Sequence, residues 1–324
     1  MKSQAPIGMR TYVMTGASRG IGKVAAARLL TASPGVHLVI VARSGAATLA
    51  RELGESTNHP HVSGATADLS SLESIRAAAR EIKRGLDSQA LPPLAGFIGN
   101  AGLQYLSASN RSADGIEMTF AVNVLANYVF VEELREHFTA PARIVLTTSD
   151  THFGDLKHNM GMVPAPKWQD PAGLATPVTT RDADGAAAGR TAYSTSKLGL
   201  IYLTHALARR LPDGVDVFSF NPGLVPGTGL VRESGAITRF LFSRVMPVMT
   251  LTPYARSLKV SGADLAAAAL DTISAESGAY INGAKVEASS PESYNPDRED
   301  ALWNELARVS DQKPLTADLS VAKQ

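Results

Sequence analysis

The chain has 324 residues, 44% of them hydrophobic, and its 31 basic and 30 acidic side chains nearly cancel. A net charge of +1 gives no sign of a nucleic-acid surface, and the absence of cysteine excludes disulfides and thiolate metal sites. No linker divides the chain, and no apolar run reaches the length of about 18 residues that spans a bilayer. We therefore expect one cytoplasmic domain over residues 1–310, followed by a flexible tail over residues 311–324.

Seven apolar segments predict β-strands, and several are the continuous apolar runs of parallel strands that are covered on both faces. They are residues 9–15, 36–42, 62–67, 94–99, 142–148, 214–220 and 279–286. Helical patterns occupy residues 70–86, 113–139, 190–211, 262–274 and 297–309. This alternation predicts an α/β fold: a doubly wound (Rossmann) seven-stranded parallel sheet, with helices on both faces and ligands at the carboxyl ends of the strands.

A glycine-rich turn follows the first predicted strand, in the sequence Thr15-Gly16-Ala17-Ser18-Arg19-Gly20-Ile21-Gly22. An alanine-rich stretch over residues 23–30 favours a helix directly after it. Strand, glycine turn and helix form the context of a dinucleotide-binding loop, in which backbone N–H groups approach a pyrophosphate at the helix N-terminus. The alternative is a tight turn that binds no ligand.

The charge after the second strand bears on which dinucleotide would bind. An NAD site commonly carries an acidic residue about 20 residues past the glycines, to bind a ribose hydroxyl. Here Arg43 and Ser44 stand at that place, and Arg19 lies in the loop itself. Guanidinium groups suit a 2′-phosphate, so these residues predict NADP(H). Alternatively, one or both arginines only face water.

Tyr193 and Lys197 are four residues apart on a predicted helix, in Ala192-Tyr193-Ser194-Thr195-Ser196-Lys197. Side chains at this spacing share one face of the helix. A phenol has an ordinary pKa of about 10, and a neighbouring ammonium lowers it towards a useful acid–base range. The pair therefore predicts acid–base chemistry, although the spacing by itself is common.

The two motifs together resemble the short-chain dehydrogenase/reductase superfamily, and the resemblance extends over most of the chain. Further matches are Asp68-Leu69, Asn100-Ala101-Gly102, Asn123, Ser149 and Pro222-Gly223. The resemblance implies four catalytic residues, namely Tyr193, Lys197, Ser149 and Asn123. It also implies a nicotinamide cofactor, bound by Gly16, Ser18, Arg19, Gly20, Ile21, Gly22, Arg43, Asp68, Leu69, Asn100, Ala101, Gly102, Tyr193, Lys197, Pro222, Gly223 and Thr228.

The resemblance also implies a role for each catalytic residue. Tyr193 protonates a carbonyl oxygen as hydride arrives from the nicotinamide, or removes the alcohol proton in the reverse direction. Lys197 lowers the pKa of Tyr193 and holds the nicotinamide ribose, while Ser149 donates a hydrogen bond to the reacting oxygen. Asn123 anchors a water that relays protons towards Lys197. The alternatives are a strand-end hydroxyl for Ser149 and, for Asn123, a polar group that the backbone satisfies.

Within the superfamily, the chain is most similar to the retinol dehydrogenase and protochlorophyllide reductase-like branch. About 43 residues separate Ser149 from Tyr193, and the ending Ser289-Ser290-Pro291-Glu292-Ser293-Tyr294-Asn295-Pro296 is similar to that branch. Leu224 stands where protochlorophyllide reductases carry a cysteine, which argues against their photochemical reaction. Gly227 stands where many members place a threonine, so Thr228 is the expected substitute.

Two segments are expected to line the substrate site. The first is an insertion over about 150–190, with His152, Phe153, His158, Met160, Met162 and Trp168. The second is the segment over about 224–260, whose apolar stretch 236–249 favours a bulky hydrophobic substrate. A subunit interface and a membrane-surface helix are alternatives for 236–249. His152 and His158 lack a third ligand at a suitable spacing, so no metal is expected.

The sequence thus predicts an NADP(H)-dependent oxidoreductase that transfers hydride between nicotinamide and a carbonyl or alcohol of a medium-to-large apolar substrate. Two other functions are considered. One is reduction of a conjugated C=C bond, and the other is a non-catalytic NADP-binding regulator. The complete set of Ser149, Tyr193 and Lys197 argues against the regulator, because binding alone does not need all three. A homodimer and a monomer are both compatible with the sequence.

Overall fold

A computed structural model describes residues 8–179, 185–225 and 255–311. The described strands form one sheet of eight strands in the order β3-β2-β1-β4-β5-β6-β7-β8. They are β1 (Arg10–Thr15), β2 (Val36–Ala42), β3 (Val62–Thr66), β4 (Leu94–Gly99), β5 (Phe138–Thr147), β6 (Val215–Asn221), β7 (Tyr280–Asn282) and β8 (Lys285–Glu287). All neighbours from β3 to β7 pair parallel, which confirms the predicted doubly wound sheet.

The predicted count of seven strands is wrong by one at the C-terminal edge of the sheet. The apolar run 279–286 is two short strands, β7 and β8, which pair antiparallel. Gly283 has a φ of +64°, a left-handed conformation that glycine adopts without strain, and the chain reverses there. Val286, after the turn, is 47% exposed. A prediction from hydrophobicity alone therefore merged two strands that differ in burial.

Helices connect the strands and lie on both faces of the sheet. They are α1 (Gly20–Ala32), α2 (Ala46–Thr57), α3 (Leu72–Asp87), α4 (Met118–Phe120), α5 (Ala126–Leu134), α6 (Leu156–Asn159), α7 (Pro171–Ala175), α8 (Ala186–Ala208), α9 (Leu258–Ala269) and α10 (Pro296–Ser310). A π-helical stretch, Ala121–Leu125, joins α4 to α5.

Three of the predicted helices have different bounds in the structure, and one long helix was not predicted. The helix predicted over 190–211 spans Ala186–Ala208. The segment predicted over 113–139 becomes helical only at Met118, because the Glu117 carboxylate caps the Phe120 N–H at 2.6 Å. The helix predicted over 262–274 begins at Leu258, where Ser257 caps it, and ends at Ala269. The missed helix is α2, whose buried residues are few.

Alternating strand residues point into two separate hydrophobic cores. Val13, Val39 and Phe97 pack with α3, α5 and α8 on one face. Met14 and Ile40 pack with α1 and α9 on the other. Fully burying one such side chain stabilises the fold by about 1.5–3 kcal/mol. The sheet is therefore anchored on both sides, and the ends of its strands are fixed in space.

Two segments of the chain cover the outer side of α8. Trp168 from the insertion packs edge-on against Tyr202 at 4.6 Å and lies beside Gly199. Positions 199 and 202 are rotated to roughly the opposite side of the helix from Tyr193. The prediction that Trp168 lines the substrate site is therefore wrong, because its indole packs against the side of α8 that faces away from Tyr193. The second covering segment is α10, which contacts the same helix.

In the described part of the chain, no helix combines the length and the apolar character needed to cross a bilayer.

Candidate active site

Hydrogen bonds connect the glycine turn to the segment after β4 at the carboxyl edge of the sheet. Asn100 donates from Nδ2 to the carbonyl oxygen of Gly16 at 3.1 Å, and the Ala101 N–H donates to Thr15 Oγ1 at 3.1 Å. Gly16 has a φ of +72°. A Cβ on Gly22 would lie 2.1 Å from Gly16 O, so only glycine fits there. These contacts set the shape of the loop before any ligand binds.

The N-terminus of α1 has the features of a phosphate site. The helix begins at Gly20, its N-cap Arg19 contributes no side-chain cap, and its first turn carries no acidic residue. Ser18 and Arg19 are exposed beside it. Helix N-terminal N–H groups and the helix dipole favour an anion. The geometry therefore suits the pyrophosphate of a dinucleotide, as the sequence predicted.

Arg43 and Asp68 follow two neighbouring strands, β2 and β3, at the same edge. Arg43 is exposed, and residues 43–47 contain no carboxylate. Asp68 is half-buried, and its Oδ1 accepts hydrogen bonds from the Ser70 N–H at 2.9 Å and the Ser70 hydroxyl at 2.7 Å. One carboxylate oxygen of Asp68 is thus engaged in shaping the turn into α3, with Leu69 packed against the core.

The structure brings Tyr193, Lys197 and Ser149 together. Tyr193 and Lys197 lie on α8 and are 6% and 3% exposed. The Ser149 side chain lies close enough to the Tyr193 hydroxyl to lower the pKa of the phenol. Lys197 Nζ lies 5.4 Å from the centre of the Tyr193 ring and donates to the carbonyl oxygen of Thr147 at 2.9 Å. The three side chains meet where β5 ends and α8 passes it.

The pKa of Tyr193 differs from the sequence expectation. Burial raises the pKa of Tyr193 to about 12, and the neighbouring Ser149 side chain opposes that rise. Burial also lowers the pKa of Lys197 to about 7, because the charged ammonium loses its hydration. The pKa of Tyr193 is therefore raised and not lowered, because burial is the main influence on the phenol. At neutral pH Tyr193 is a protonated phenol, ready to donate.

Asn123 lies in the π-helical stretch and is fully buried. Its Oδ1 accepts from the Leu103 N–H at 2.9 Å, and its Nδ2 donates to Leu103 O and Ser196 Oγ, each at 3.0 Å. A Cβ on Gly102 would lie 3.5 Å from both Asn123 Oδ1 and Lys197 Nζ. The asparagine therefore connects the segment after β4 to α8. Its predicted water-relay role stays a prediction.

Residues just after Ser149 form a packed aromatic cluster. His152 is 1% exposed and lies beside Phe153 and Tyr280, with ring centres at 4.2 and 5.1 Å. Phe153 also stacks on His158 at 3.7 Å. Both ring nitrogens of His152 contact backbone groups, those of Ser149 and Ser290. Within the described residues, no group of three or more potential metal ligands is present.

The turn after β6 is held by contacts that the sequence analysis did not foresee. Gly223 has a φ of +76°, and Pro222 O accepts from the Ser261 hydroxyl at 2.7 Å. Arg256 crosses this turn and donates to Asn221 O at 3.3 Å. Nothing local in the sequence pairs position 256 with 221. The predicted cofactor residue Thr228 and the stretch 236–249 lie outside the described residues.

Two further residues of the site stand inside the sequence motifs but were given no role. They are Thr15, which accepts from Ala101, and Ser196, which accepts from Asn123. The available signal was a hydroxyl inside the glycine-rich turn, and another directly before Lys197. The partners of both hydroxyls are distant in sequence, so the contacts themselves were not predictable.

Known proteins resemble this chain in sequence and in fold. A profile described as short chain dehydrogenase matches residues 10–160. Retinol dehydrogenase 13 of Homo sapiens is 30% identical over 318 residues, covering 95% of this chain and 86% of that protein. Retinol dehydrogenase 12 of Homo sapiens is 30% identical over 303 residues, covering 91% and 84%. The NADPH-bound carbonyl reductase from chicken fatty liver shares the fold, with a TM-score of 0.58 at 19% identity, covering 87% and 100%.

The chain therefore belongs to the short-chain dehydrogenase/reductase superfamily, an oxidoreductase family, and within it to the retinol dehydrogenase-like branch. This confirms the resemblance that the sequence motifs indicated.

Proposed function

We propose that the protein is an NADP(H)-dependent oxidoreductase that interconverts a carbonyl and an alcohol on a medium-to-large apolar substrate. The observation that carries the proposal is that the side chains of Tyr193 and Ser149 lie side by side, with Lys197 buried beside them. A protonated phenol and a hydroxyl that converge on one point form a site for a carbonyl oxygen. The names of the retinol dehydrogenase relatives specify an alcohol substrate, which agrees with this chemistry.

The chain's own residues supply binding and proton transfer. A nicotinamide cofactor supplies the hydride when it is bound. Tyr193 donates its proton to the carbonyl oxygen that gains negative charge, and Ser149 stabilises that charge with a hydrogen bond. The Lys197 ammonium stabilises the phenolate that remains on Tyr193 after the proton has left. Burial of Tyr193 and Lys197 from water strengthens these electrostatic interactions.

Several features support NADP(H) over NAD(H). Arg43 stands exposed at the end of β2, where an NAD site commonly carries an acid, and Arg19 lies at the N-terminus of α1. A 2′-phosphate adds about two negative charges, and guanidinium groups bind phosphate oxygens in pairs. No carboxylate in residues 43–47 would repel that phosphate.

Support for an apolar substrate comes from the insertion. Leu156 and Met160 are 77% and 39% exposed in α6 and at its end, a few residues after Ser149. Large apolar side chains at this level of exposure suit contact with an apolar molecule. The exposed apolar side chains that follow Ser149 in the chain thus support an apolar substrate.

The variant Tyr193→Phe tests the proposal. Removing the phenol hydroxyl is expected to lower kcat at least about a hundredfold, because it removes the proton donor. NADPH binding, measured by fluorescence titration, is expected to stay within about threefold of wild type. NADPH oxidation should be followed over a panel of apolar aldehydes, ketones and enones. Activity within a few-fold of wild type would refute Tyr193 as the acid, and turnover of enones alone would favour C=C reduction.

A further inference from the structure

His152 connects the catalytic loop to a distant turn of the chain. Its Nδ1 lies 2.7 Å from the carbonyl oxygen of Ser149, and its Nε2 lies 3.0 Å from the backbone nitrogen of Ser290. A carbonyl oxygen only accepts and a backbone N–H only donates. Nδ1 therefore carries the proton and Nε2 is a bare acceptor. A second proton on the ring would face the Ser290 N–H, so these contacts require a neutral imidazole.

Burial agrees with this protonation state. The ring is 1% exposed and packs against Phe153 and Tyr280. Burial lowers the pKa of His152 to about 4. The titratable neighbours are His158 and Asp155 on the same loop, and Tyr280 from β7, whose hydroxyl donates to Asp150 Oδ1. The ring therefore stays neutral at ordinary pH, and both of its contacts persist.

At the Ser290 end of this connection, the turn is also held by hydrogen bonds. The turn over residues 289–293 is closed by hydrogen bonds from the Ser293 hydroxyl and N–H to Ser290 O, at 2.6 and 2.9 Å. Tyr202 of α8 donates its hydroxyl to Glu292 O at 2.7 Å. Tyr202 and Tyr193 lie on one helix, so this turn is tied to the same element that carries the proposed acid.

At the Ser149 end of this connection, hydrogen bonds fix the backbone on both sides of the residue. On its N-terminal side, the Thr148 N–H donates to Phe220 O at 2.8 Å and the Thr148 hydroxyl donates to Lys197 O at 2.8 Å. On its C-terminal side, His152 holds the Ser149 carbonyl. With both flanking peptide planes fixed, the direction of the Ser149 Cα–Cβ bond is fixed too. The remaining rotation of the hydroxymethyl group is limited by the Thr151 N–H, which donates to Ser149 Oγ at 3.3 Å.

We propose that His152 is a positioning residue, whose neutral ring holds the Ser149 carbonyl against the turn at 289–293 and so aims the Ser149 hydroxyl at Tyr193. This inference rests on the proposed function, because Ser149 acts there on the reacting oxygen. It gives a role to the serine-rich ending Ser289 to Ser293, which the catalytic residues alone do not explain. His152 itself does not touch the reacting atoms.

Two variants remove the connection from its two ends. His152→Phe keeps an aromatic ring and removes both hydrogen bonds. Ser290→Pro removes the N–H donor at a residue whose φ of −58° already suits proline, and the proline ring displaces the imidazole. Ser290→Ala is the matched control, because it keeps the N–H and deletes a buried hydroxyl that has no partner among the described residues. Thermal unfolding establishes that each variant is folded.

Steady-state kinetics with NADPH and the best substrate of the carbonyl panel decide the question. We expect His152→Phe and Ser290→Pro to lower kcat at least about tenfold, because a small displacement of a catalytic group has a large effect on rate. The KM and the NADPH Kd are expected to stay within about twofold, and Ser290→Ala is expected to match wild type. Wild-type kcat in both disruptive variants would overturn the proposal, as would an equal loss in Ser290→Ala.

A double-mutant cycle separates positioning of Ser149 from a general structural effect. In a Ser149→Ala background, His152→Phe is expected to lower kcat by less than about twofold, since the hydroxyl that it positions is already gone. The same loss factor in both backgrounds would show that His152 acts elsewhere, and would overturn the proposal.

A measurement without turnover distinguishes failure of this inference from failure of the proposed function. In ¹⁵N-labelled wild-type protein, the His152 ring is expected to show the Nδ1-protonated neutral tautomer, with no titration between pH 5 and 8. An Nε2-protonated or charged ring would overturn the inference whatever the enzyme turns over. If the expected tautomer is seen but no substrate reacts, the geometry of His152 stands and the reaction assigned to the site fails.

Discussion

The two central residues of the site have pKa values that move in opposite directions. Burial raises the pKa of Tyr193 to about 12 and lowers the pKa of Lys197 to about 7. The same loss of hydration causes both shifts, because it disfavours the phenolate and the ammonium alike. In these surroundings Tyr193 is neutral, and Lys197 is about half protonated near pH 7. Its charge changes in the physiological range through lysine, while the tyrosine keeps its proton.

This lysine predicts that NADPH binding takes up protons. A charged ammonium donates to Thr147 O and keeps two N–H groups for an acceptor, so the cofactor should favour the charged form. Affinity is then full below pH 7 and falls as the pH rises through about 7, by up to about tenfold per unit. Calorimetry at pH 7 in buffers of different ionisation enthalpy should detect uptake of about half a proton. Lys197→Met is the control, and equal uptake by that variant would contradict the prediction.

The cofactor phosphate is predicted to depend on two exposed guanidinium groups. Substituting Arg19→Ala and Arg43→Ala together should weaken NADPH binding at least about tenfold and leave NADH binding within about twofold, since only NADPH carries the 2′-phosphate. Parallel fluorescence titrations with both cofactors measure the ratio. Arg28→Ala, on the solvent side of α1, controls for loss of a positive charge nearby. Equal weakening of both cofactors would mean that the arginines do not read the phosphate.

At the scale of elements, α8 is held very close to its neighbours at one glycine and less closely at another. A Cβ on Gly189 would lie 2.2 Å from Tyr105 O and 2.5 Å from the Leu106 carbonyl carbon. A Cβ on Gly199 would lie 3.5 Å from Val124 Cγ2, an ordinary contact. The first neighbours are backbone atoms and cannot turn away. Gly189 is also one helical turn before Tyr193, so its packing sets the position of the proposed acid.

The two glycines make a matched pair of substitutions. Gly189→Ala should destabilise the protein by on the order of 2 kcal/mol through overpacking, and should lower kcat as α8 shifts. Gly199→Ala should be neutral or stabilise by up to about 1 kcal/mol, because alanine favours a helix. Urea unfolding gives both free energies. Similar unfolding midpoints for the two variants would show that the approach at Gly189 is not limiting.

At the scale of the whole molecule, α10 covers helices that would otherwise be open to another subunit. Leu302 and Leu306 are fully buried, and Trp303 packs edge-on against Tyr128 at 5.0 Å. The carboxylate of Glu299 is 3% exposed. It forms a hydrogen bond with His205 Nδ1 of α8 at 3.1 Å and an ion pair with Arg209, the residue that follows α8. The C-terminal helix is thus fastened to α8 by apolar contacts and by charge.

This covering predicts that the protein does not dimerise through the outer side of α8. We expect a single monomeric species in sedimentation velocity at micromolar concentration. Substituting Leu302→Asp and Leu306→Asp should release α10, expose the apolar side of α5 and α8, and cause concentration-dependent association. The control adds the same charge on the exposed side of α10, with Ala301→Asp and Asn304→Asp. A stable wild-type dimer that both pairs of substitutions leave intact would place the interface elsewhere.

Local sequence pattern was enough to predict much of the fold and the identity of the central residues. Continuous apolar runs separated by helical periodicity determine a parallel α/β sheet, because both faces of each strand must be buried. The glycine turn before α1 and the spacing of Tyr193 and Lys197 are local features, so the sequence by itself determined where they stand. The error at Gly283 is also local: one left-handed residue divides a run that hydrophobicity reads as continuous.

Only the tertiary structure decided how these residues are protonated and what holds them in place. The pKa of Tyr193 rises because the fold buries it, and the sequence showed the neighbouring lysine but not the lost water. Trp168 packs behind α8, and His152 contacts Ser290, which lies 138 positions further along the sequence. Contacts at such separations depend on how whole elements pack, and no short-range periodicity encodes them.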